Sequence, residues 1–416
     1  MSVANHDALV DVIAGSAAAP LATPWLAARQ QAALAGFRAS GVPHRRVEDW
    51  KYSDLRTALQ DSGTTIEAPQ AANIFAGLTG CTLDLCDGHL VTALDALPHG
   101  VEAVNLADGV VPGWVSENLG KTSRNGMADA SLALMTGGLA LRVKSGVVVE
   151  KPLCLNINSG TAHHVRLLLV VEDGAGLTLL EHHAHAASLA NIGFEIVLGA
   201  KSALTHVRVA QSARDAVQVE EVAVTQGAGS SYRGHYADLG ARLSRLELQV
   251  GLEGADAVTD LSGVHVLHGG RHADVTTRMD HNAGHTESTQ LFKHIVAGVS
   301  RAVYQGRITV GEGANGTDSR QTAKALLLDE RSEADLKPEL IIFADDVKCA
   351  HGAAVGDLDV DSLFYLRSRG IPEDEARGLL MRAFVEDAVS GIANDDIRTA
   401  VWAMVERALL DVGVAA

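Results

Sequence analysis

Cysteine is scarce in this chain, with four in 416 residues, and aromatic side chains make up only 4% of it. Cys81, Cys86, Cys154 and Cys349 are too few and too scattered for a disulfide framework, which points to a reducing compartment. Positive charge is short as well: 34 Lys and Arg stand against 51 Asp and Glu, for a net charge of −17. That balance disfavours nucleic acid and anionic membranes as partners, because phosphate binding needs concentrated cationic side chains. No apolar run approaches the ~18 residues of a membrane span. The mildly apolar stretch Ala8–Ala19 lacks the basic start of an export signal: the first Lys or Arg is Arg29, and Asp11 interrupts the run. The expected location is the cytoplasm.

What is abundant is glycine, at 41 residues, together with small aliphatic side chains. From about Ser131 to Gly356, short β-rich runs such as HVRLLLVVEDGAG and FEIVLGAKSALTHVRVA alternate with small-residue turns. Turn signals fall at Gly174-Ala175, Gly199-Ala200, Gly227-Ala228, Gly254-Ala255, Gly284 and Gly313-Ala314, spaced 25, 28, 27, 30 and 29 residues apart. A recurrent period of that size without helical patterning indicates a stacked solenoid, in which a rung that cannot bury its own apolar face stacks on the next. The fold class read from this is mainly β, with a β-helix core; a large β-sandwich or double cupin is the alternative pattern.

Helical segments flank this core. Residues 1–130 read as helical at the start and mixed later. Ala22–Ser40 has helix-forming spacing, with Pro24 in its first turn and Gly41 as its stop. Trp50 and Tyr52 in RVEDWKYSDL read as aromatic anchors onto a neighbouring domain. Residues 131–357 form the β-helix, and 358–416 a helical region that opens on a cap near Asp359. There Pro372 precedes Glu373, Asp374 and Glu375 in a first turn, where acids suit the helix dipole. Ala376, Leu379, Leu380, Ala383 and Phe384 are expected on one apolar face, and Ile397, Val401, Met404, Val405 and Ala408 on the next helix's. On residues alone, this region reads as a cap over the open end of the solenoid.

Catalytic motifs are weak. Asn118–Thr122 ends like a phosphate loop, but the glycine required five residues earlier is Val115, and Gly113 is misplaced. The histidines cluster as His182, His183 and His185; His265, His268 and His272; and His281, His285 and His294. Without a companion carboxylate motif they are expected to be solvated strand-face residues rather than a zinc centre. Glu220-Glu221 and Asp345-Asp346 are paired acids of the kind used by β-helix carbohydrate enzymes, but the chain lacks the aromatic platforms that bind sugar rings.

The most informative block is Ile341–Gly370, IIFADDVKCAHGAAVGDLDVDSLFYLRSRG, with its Cys-x-His pair Cys349 and His351. Both side chains are transition-metal ligands, and two positions apart on a strand they share a face. Lys348 and His351 beside the thiol should favour thiolate. However, Cys349 also shares parity with Ile341, Phe343 and Val347, which look like core. A bend at Asp345-Asp346 would be needed to re-aim the pair. On residue chemistry alone, buried core cysteine and ligand stand level.

This block resembles the SufB/SufD family of the SufBCD iron–sulfur cluster assembly complex, and so do GVPHRRVEDWKYSDLR (Gly41–Arg56) and the run Met279–Leu328. VKCAHG and RVEDWKY place the likeness on the SufD side rather than that of a self-sufficient SufB-like scaffold. The resemblance implies a right-handed parallel β-helix that pairs with a SufB-like paralogue, and C-terminal helices that dock a SufC-like ABC-type ATPase. It also implies a transient iron–sulfur cluster at His351 and Cys349, metal ligands at the paralogue interface, with no intrinsic nucleotide and no catalysis by this subunit. Ala350, Ala354 and Ala323 depart from the Ser, Thr and Asn or Ser common in the family, small losses beside the cluster site. A homodimer of the isolated chain is left open.

Overall fold

A computed structural model describes residues 9–11, 13, 24–60, 66, 71–121 and 126–415. Most of Ala8–Ala19 lies outside them, as does Ala22. Two sheets run the length of the molecule, one of ten strands and one of nine. From Gly137–Val143 onward, successive strands alternate between the sheets. From Gly137–Val143 to Val347–Gly356, each strand pairs in parallel with the next but one, so one rung is two strands. Ser244, Ala273, Ala302 and Ala334 therefore stand in one column. This is the β-helix expected from the turn spacing, with the parallel strands that the resemblance implies, and the sandwich alternative falls.

The turns explain the period. Gly146, Gly174, Lys201, Gly229, Asp256, His285 and Gly316 all adopt positive φ, one per rung. Each N–H donates to a carbonyl of the next turn, as in Gly174 to Ala200 (2.8 Å), Lys201 to Ala228 (2.8 Å) and Gly316 to Asp346 (2.7 Å). The glycines two positions before Lys201, Gly229 and Asp256 pack closely on the turn below: a Cβ on Gly254 would lie 2.0 Å from the Ala228 nitrogen.

The two ends of the solenoid differ. At the first end, antiparallel strands close the sheets: His89–Leu90 on Cys81–Cys86, and Val101–Asn105 on Gly137–Val143. Strands thus enter the solenoid from both sides of residue 130. At the far end, Glu333–Ile342 and Val347–Gly356 are edge strands with one neighbour each in their sheets.

Helices cover the outer faces, not that open end. Phe37, Leu55, Leu119 and Leu132 pack with Leu168, Val217, Val219 and Leu243 of the second sheet. Met381, Val385, Val389, Val401 and Val405 pack with Val207, Val209, Val264, Val266 and Ile295 of the first. Full burial of each such side chain contributes about 1.5–3 kcal/mol. The cap expected of residues 358–416 is therefore corrected: these helices lie along the solenoid's flank.

The helices start near their signals. Asp359 caps Val360–Ser368 by accepting from the Ser362 N–H at 3.0 Å. Pro372 precedes Glu373–Ser390, and Ala27–Ser40 begins just after the Pro24 turn. Asp395–Ala415 buries Ile397, Val401, Met404, Val405 and Ala408 as expected. In Glu373–Ser390 the buried stripe is instead Ala376, Met381, Val385, Ala388 and Val389, with Leu379 and Ala383 outside it. Trp50 is the expected anchor: its ring is buried against the second sheet with the Arg245 guanidinium 4.0 Å from its centroid. Tyr52 is only half-buried, with Lys51 over its ring.

Candidate functional site

The strand Val347–Gly356 is the last of the first sheet, and its register assigns each side chain to a face. Val347, Cys349, His351 and Ala353 stand opposite Thr317, Ser319, Gln321 and Ala323, the positions that point into the solenoid. Cys349 and His351 therefore face the interior, but among the described residues no further rung covers them. Cys349 is half-buried and packs against the core edge, while His351 is exposed. The bend at Asp345-Asp346 separates two strands that belong to different sheets. That separation defeats the parity argument with Ile341 and Phe343, which are exposed at the rim.

Below Cys349 lies a file of hydroxyls. Ser319 and Ser288 are 2.6 Å apart through their Oγ atoms, and Ser288 Oγ is 3.0 Å from His281 Nε2. Gln321 and Gln290 lie below His351. Both amide atoms of Gln321 are buried without a hydrogen-bond partner, and Gln290 accepts from the Tyr304 hydroxyl at 3.2 Å. A soft sulfur donor and a nitrogen donor thus sit together at an unclosed end above a polar lining.

The electrostatics differ from expectation. Lys348 stands opposite Asp318 on the other face of the strand. Burial pushes the Cys349 thiol up and the Asp318 carboxylate adds to this, against a hydrogen bond to the Ser319 backbone that lowers it. The surroundings in the isolated chain favour thiol, not the thiolate predicted from Lys348 and His351. Ala350 and Ala354 alternate away from the pair and do not border it. Ala323 is fully buried on the inward column.

The histidines require a larger correction. His182, His183, His185, His265, His281 and His294 are buried, not solvated; of the nine singled out, only His268, His272 and His285 keep appreciable exposure. Burial disfavours the charged imidazole at His182, His185, His265, His281 and His294: the pKa of His265 falls to about 3 and that of His281 to about 4. Glu220 and Glu221 are also buried, and alternation sends them to opposite faces, so they form no pair. Glu220 instead meets Glu181 and His183, whose donor atoms lie with its own within 4.8 Å of one another. Sequence reasoning missed this grouping because the three residues come from both sheets. The one local signal was Glu181-His182-His183 in a strand with buried parity.

In Asn118–Thr122 the amides of Gly120 and Lys121 already donate to the Glu195 carboxylate, at 2.7 and 3.1 Å, which leaves no cradle for a phosphate. Thr122 lies outside the described residues. Among the described residues, no helix is long and apolar enough to cross a membrane.

Residues 154–384 match the family model "SUF system FeS cluster assembly, SufBD core domain". The chain is 30% identical over 394 residues to the iron–sulfur cluster assembly protein SufD of Escherichia coli, covering 89% of this chain and 90% of that protein. It is 28% identical to the chloroplastic protein ABCI7 of Arabidopsis thaliana, over 92% of this chain and 82% of that one. SufD of Bacillus subtilis is 26% identical over 66% of this chain and 65% of its own length.

Proposed function

The chain belongs to the SufBD family of the SUF iron–sulfur cluster assembly system, and from that premise we propose that it is a non-catalytic, cytoplasmic scaffold subunit on which nascent clusters are built and passed on. The observation that carries this reading is the uncovered last rung, which presents Cys349 and His351 inward at an open end. Two protein ligands do not complete a tetrahedral site. A second chain must supply the rest, and the edge strands Glu333–Ile342 and Val347–Gly356 offer unpaired backbone to one.

The partner that fits is a SufB-like paralogue, docked so that the two solenoids join edge to edge and Cys349 and His351 meet its ligands. His351, exposed and with no further rung above it, is the primary ligand; Cys349 supports it. Burial holds Cys349 as thiol until a partner or metal arrives, since bound metal favours thiolate. The cluster is cargo, shared with the paralogue and held transiently.

Residues 131–357 serve as the scaffold core, residues 1–130 as the segment that clamps the second sheet, and residues 358–416 as the docking region for a SufC-like ABC-type ATPase. The exposed Val360, Phe364 and Tyr365 suit that contact. ATP hydrolysis belongs to that partner; its closure would strain the paralogue interface and open the Cys349–His351 site.

The test is anaerobic affinity purification of the tagged chain from its own cells, with bound proteins identified and iron quantified. The expected result is stoichiometric recovery of a larger paralogue and an ABC-type ATPase. Cys349→Ala and His351→Ala should then lose iron with the complex intact. Recovery of the chain alone and iron-free overturns the reading.

A further inference from the structure

We propose that the interior of the solenoid holds a divalent first-row transition-metal ion between Glu181, His183 and Glu220. The site is separate from the Cys349–His351 pair. Seven strands of the first sheet run from Gly176–His185 to Val347–Gly356. At ~4.8 Å per strand, roughly 29 Å separates the two places.

Glu181 and His183 point inward from one sheet, and Glu220 reaches them from the other. His183 Nε2 is 2.8 Å from Glu181 Oε2 and 4.0 Å from Glu220 Oε1. Bonds of ~2.1 Å in a tetrahedral site place donor atoms about 3.4 Å apart, and these separations bracket that value. His206 Nε2, 2.9 Å from the other Glu181 oxygen, brings a second imidazole to the edge of the group. All four side chains are fully buried.

Two independent observations point to a cation. Glu220 Oε1 is buried without a hydrogen-bond partner, although Arg208 holds the other oxygen at 2.6 Å. An interior carboxylate oxygen left unpaired is strongly unfavourable. The carboxylates also outnumber the guanidinium beside them. Arg208 is shared by Glu220 and Asp238, while the two Glu181 oxygens meet the imidazoles of His183 and His206. A dication bound between Glu181 and Glu220 would offset both carboxylates.

The ligands are also oriented from behind. His183 Nδ1 lies 3.2 Å from His185 Nε2, whose other nitrogen is 2.7 Å from Ser159 Oγ, which fixes the rings as metal-bound imidazoles are fixed. Mixed imidazole and carboxylate donors select zinc- or ferrous-type ions over Ca²⁺ and Cu⁺. Binding at Nε2 would replace the His183–Glu181 hydrogen bond with metal bonds and leave the single imidazole proton of His183 on Nδ1, where it donates to His185 Nε2.

The test uses the full-length chain with Cys349→Ser and His351→Ala, so that the rim ligands are gone and the result is independent of the scaffold reading. Metal is measured in protein isolated from Zn²⁺-supplied cells and after refolding with Zn²⁺ or Co²⁺. We expect about one ion per chain and a Co²⁺ spectrum without thiolate charge-transfer bands. Adding Glu220→Gln should lower occupancy at least tenfold, while Glu287→Gln, at an exposed position, leaves it unchanged. Should the Glu220→Gln protein not fold, the parent's Co²⁺ spectrum decides. Occupancy below about a tenth of an ion in folded parent protein, a thiolate spectrum, or full occupancy in folded Glu220→Gln would overturn the proposal.

Discussion

His351 stands opposite Gln321 on the last pair of strands, as Cys349 stands opposite Ser319 one turn of the pleat away. Each side chain occupies the column that polar residues fill in the rung below, so the pair extends a built interior rather than decorating a surface. It is left reachable because, among the described residues, no further strand follows in that sheet.

Position at an uncovered rung separates function from stability. Cys349→Ser and His351→Ala should each change unfolding free energy by less than about 1 kcal/mol, because neither side chain is fully buried. Cluster assembly on the complex should fall at least tenfold. Chemical denaturation and anaerobic cluster reconstitution measure the two effects separately, and a large stability loss would return Cys349 to an ordinary core role.

Much of this was legible in the sequence. The solenoid followed from glycines that recur once per rung, because stacked turns admit no Cβ at positions such as Gly254. The shared face of Cys349 and His351 and the bend at Asp345-Asp346 were legible too. The electrostatics were not: Asp318, the charge that raises the Cys349 thiol, lies 31 residues away in sequence and one strand away in space. The interior histidines failed for a related reason. A strand with buried helices or rungs on both faces has no solvent face, and alternation alone does not reveal that. The helix stripe of Glu373–Ser390 was read one register away from Met381 and Val385, since an alanine-rich helix offers two plausible apolar faces.

The N-terminal anchor gives a second prediction. Trp50 is buried under the Arg245 guanidinium, and Arg245 Nη2 and Gln305 Nε2 both donate to the Asp49 carbonyl, at 2.6 and 3.0 Å. Trp50→Ala should lower stability by about 3–5 kcal/mol, as large-to-small core changes do. Limited proteolysis should then release the segment around Glu48–Trp50 while the solenoid resists. Equal protection in the variant would show that the ring is not what holds it.

Exposed apolar side chains on Val360–Ser368 give a third. Phe364 is 73% exposed and Val360 75%, on a helix with no buried residue. If this face docks the ATPase, Phe364→Ser should weaken its recovery in pull-downs at least tenfold. The melting temperature of the isolated chain should stay within about 2 °C. Unchanged recovery would move the docking surface elsewhere on residues 358–416.

The pH profile follows from two opposed sets of buried groups. Burial holds His164 and His265 at about 3 and His281 at about 4, well below 6.5. A depressed folded pKa means the unfolded chain takes up the proton first, so stability is complete above 6.5 and is lost as pH falls below it. Glu221 works the other way. Burial first, and then the Glu247 carboxylate, push it up to about 8 against the lowering pull of Arg166. Its unfolded form ionises near 4.5, so its contribution is lost as pH rises from there through 8. Several histidines outweigh one glutamate below 6.5, and the glutamate governs above it. Stability should therefore peak near pH 6.5 and decline by pH 8.5. Glu221→Gln should remove the alkaline decline, a gain of roughly 2–4 kcal/mol at pH 8.5, and leave the acid limb in place. Urea unfolding at pH 5.5, 6.5 and 8.5 measures both limbs. A parent protein as stable at pH 8.5 as at 6.5, with no gain in the variant, would mean that Glu221 is charged in the folded chain at little penalty.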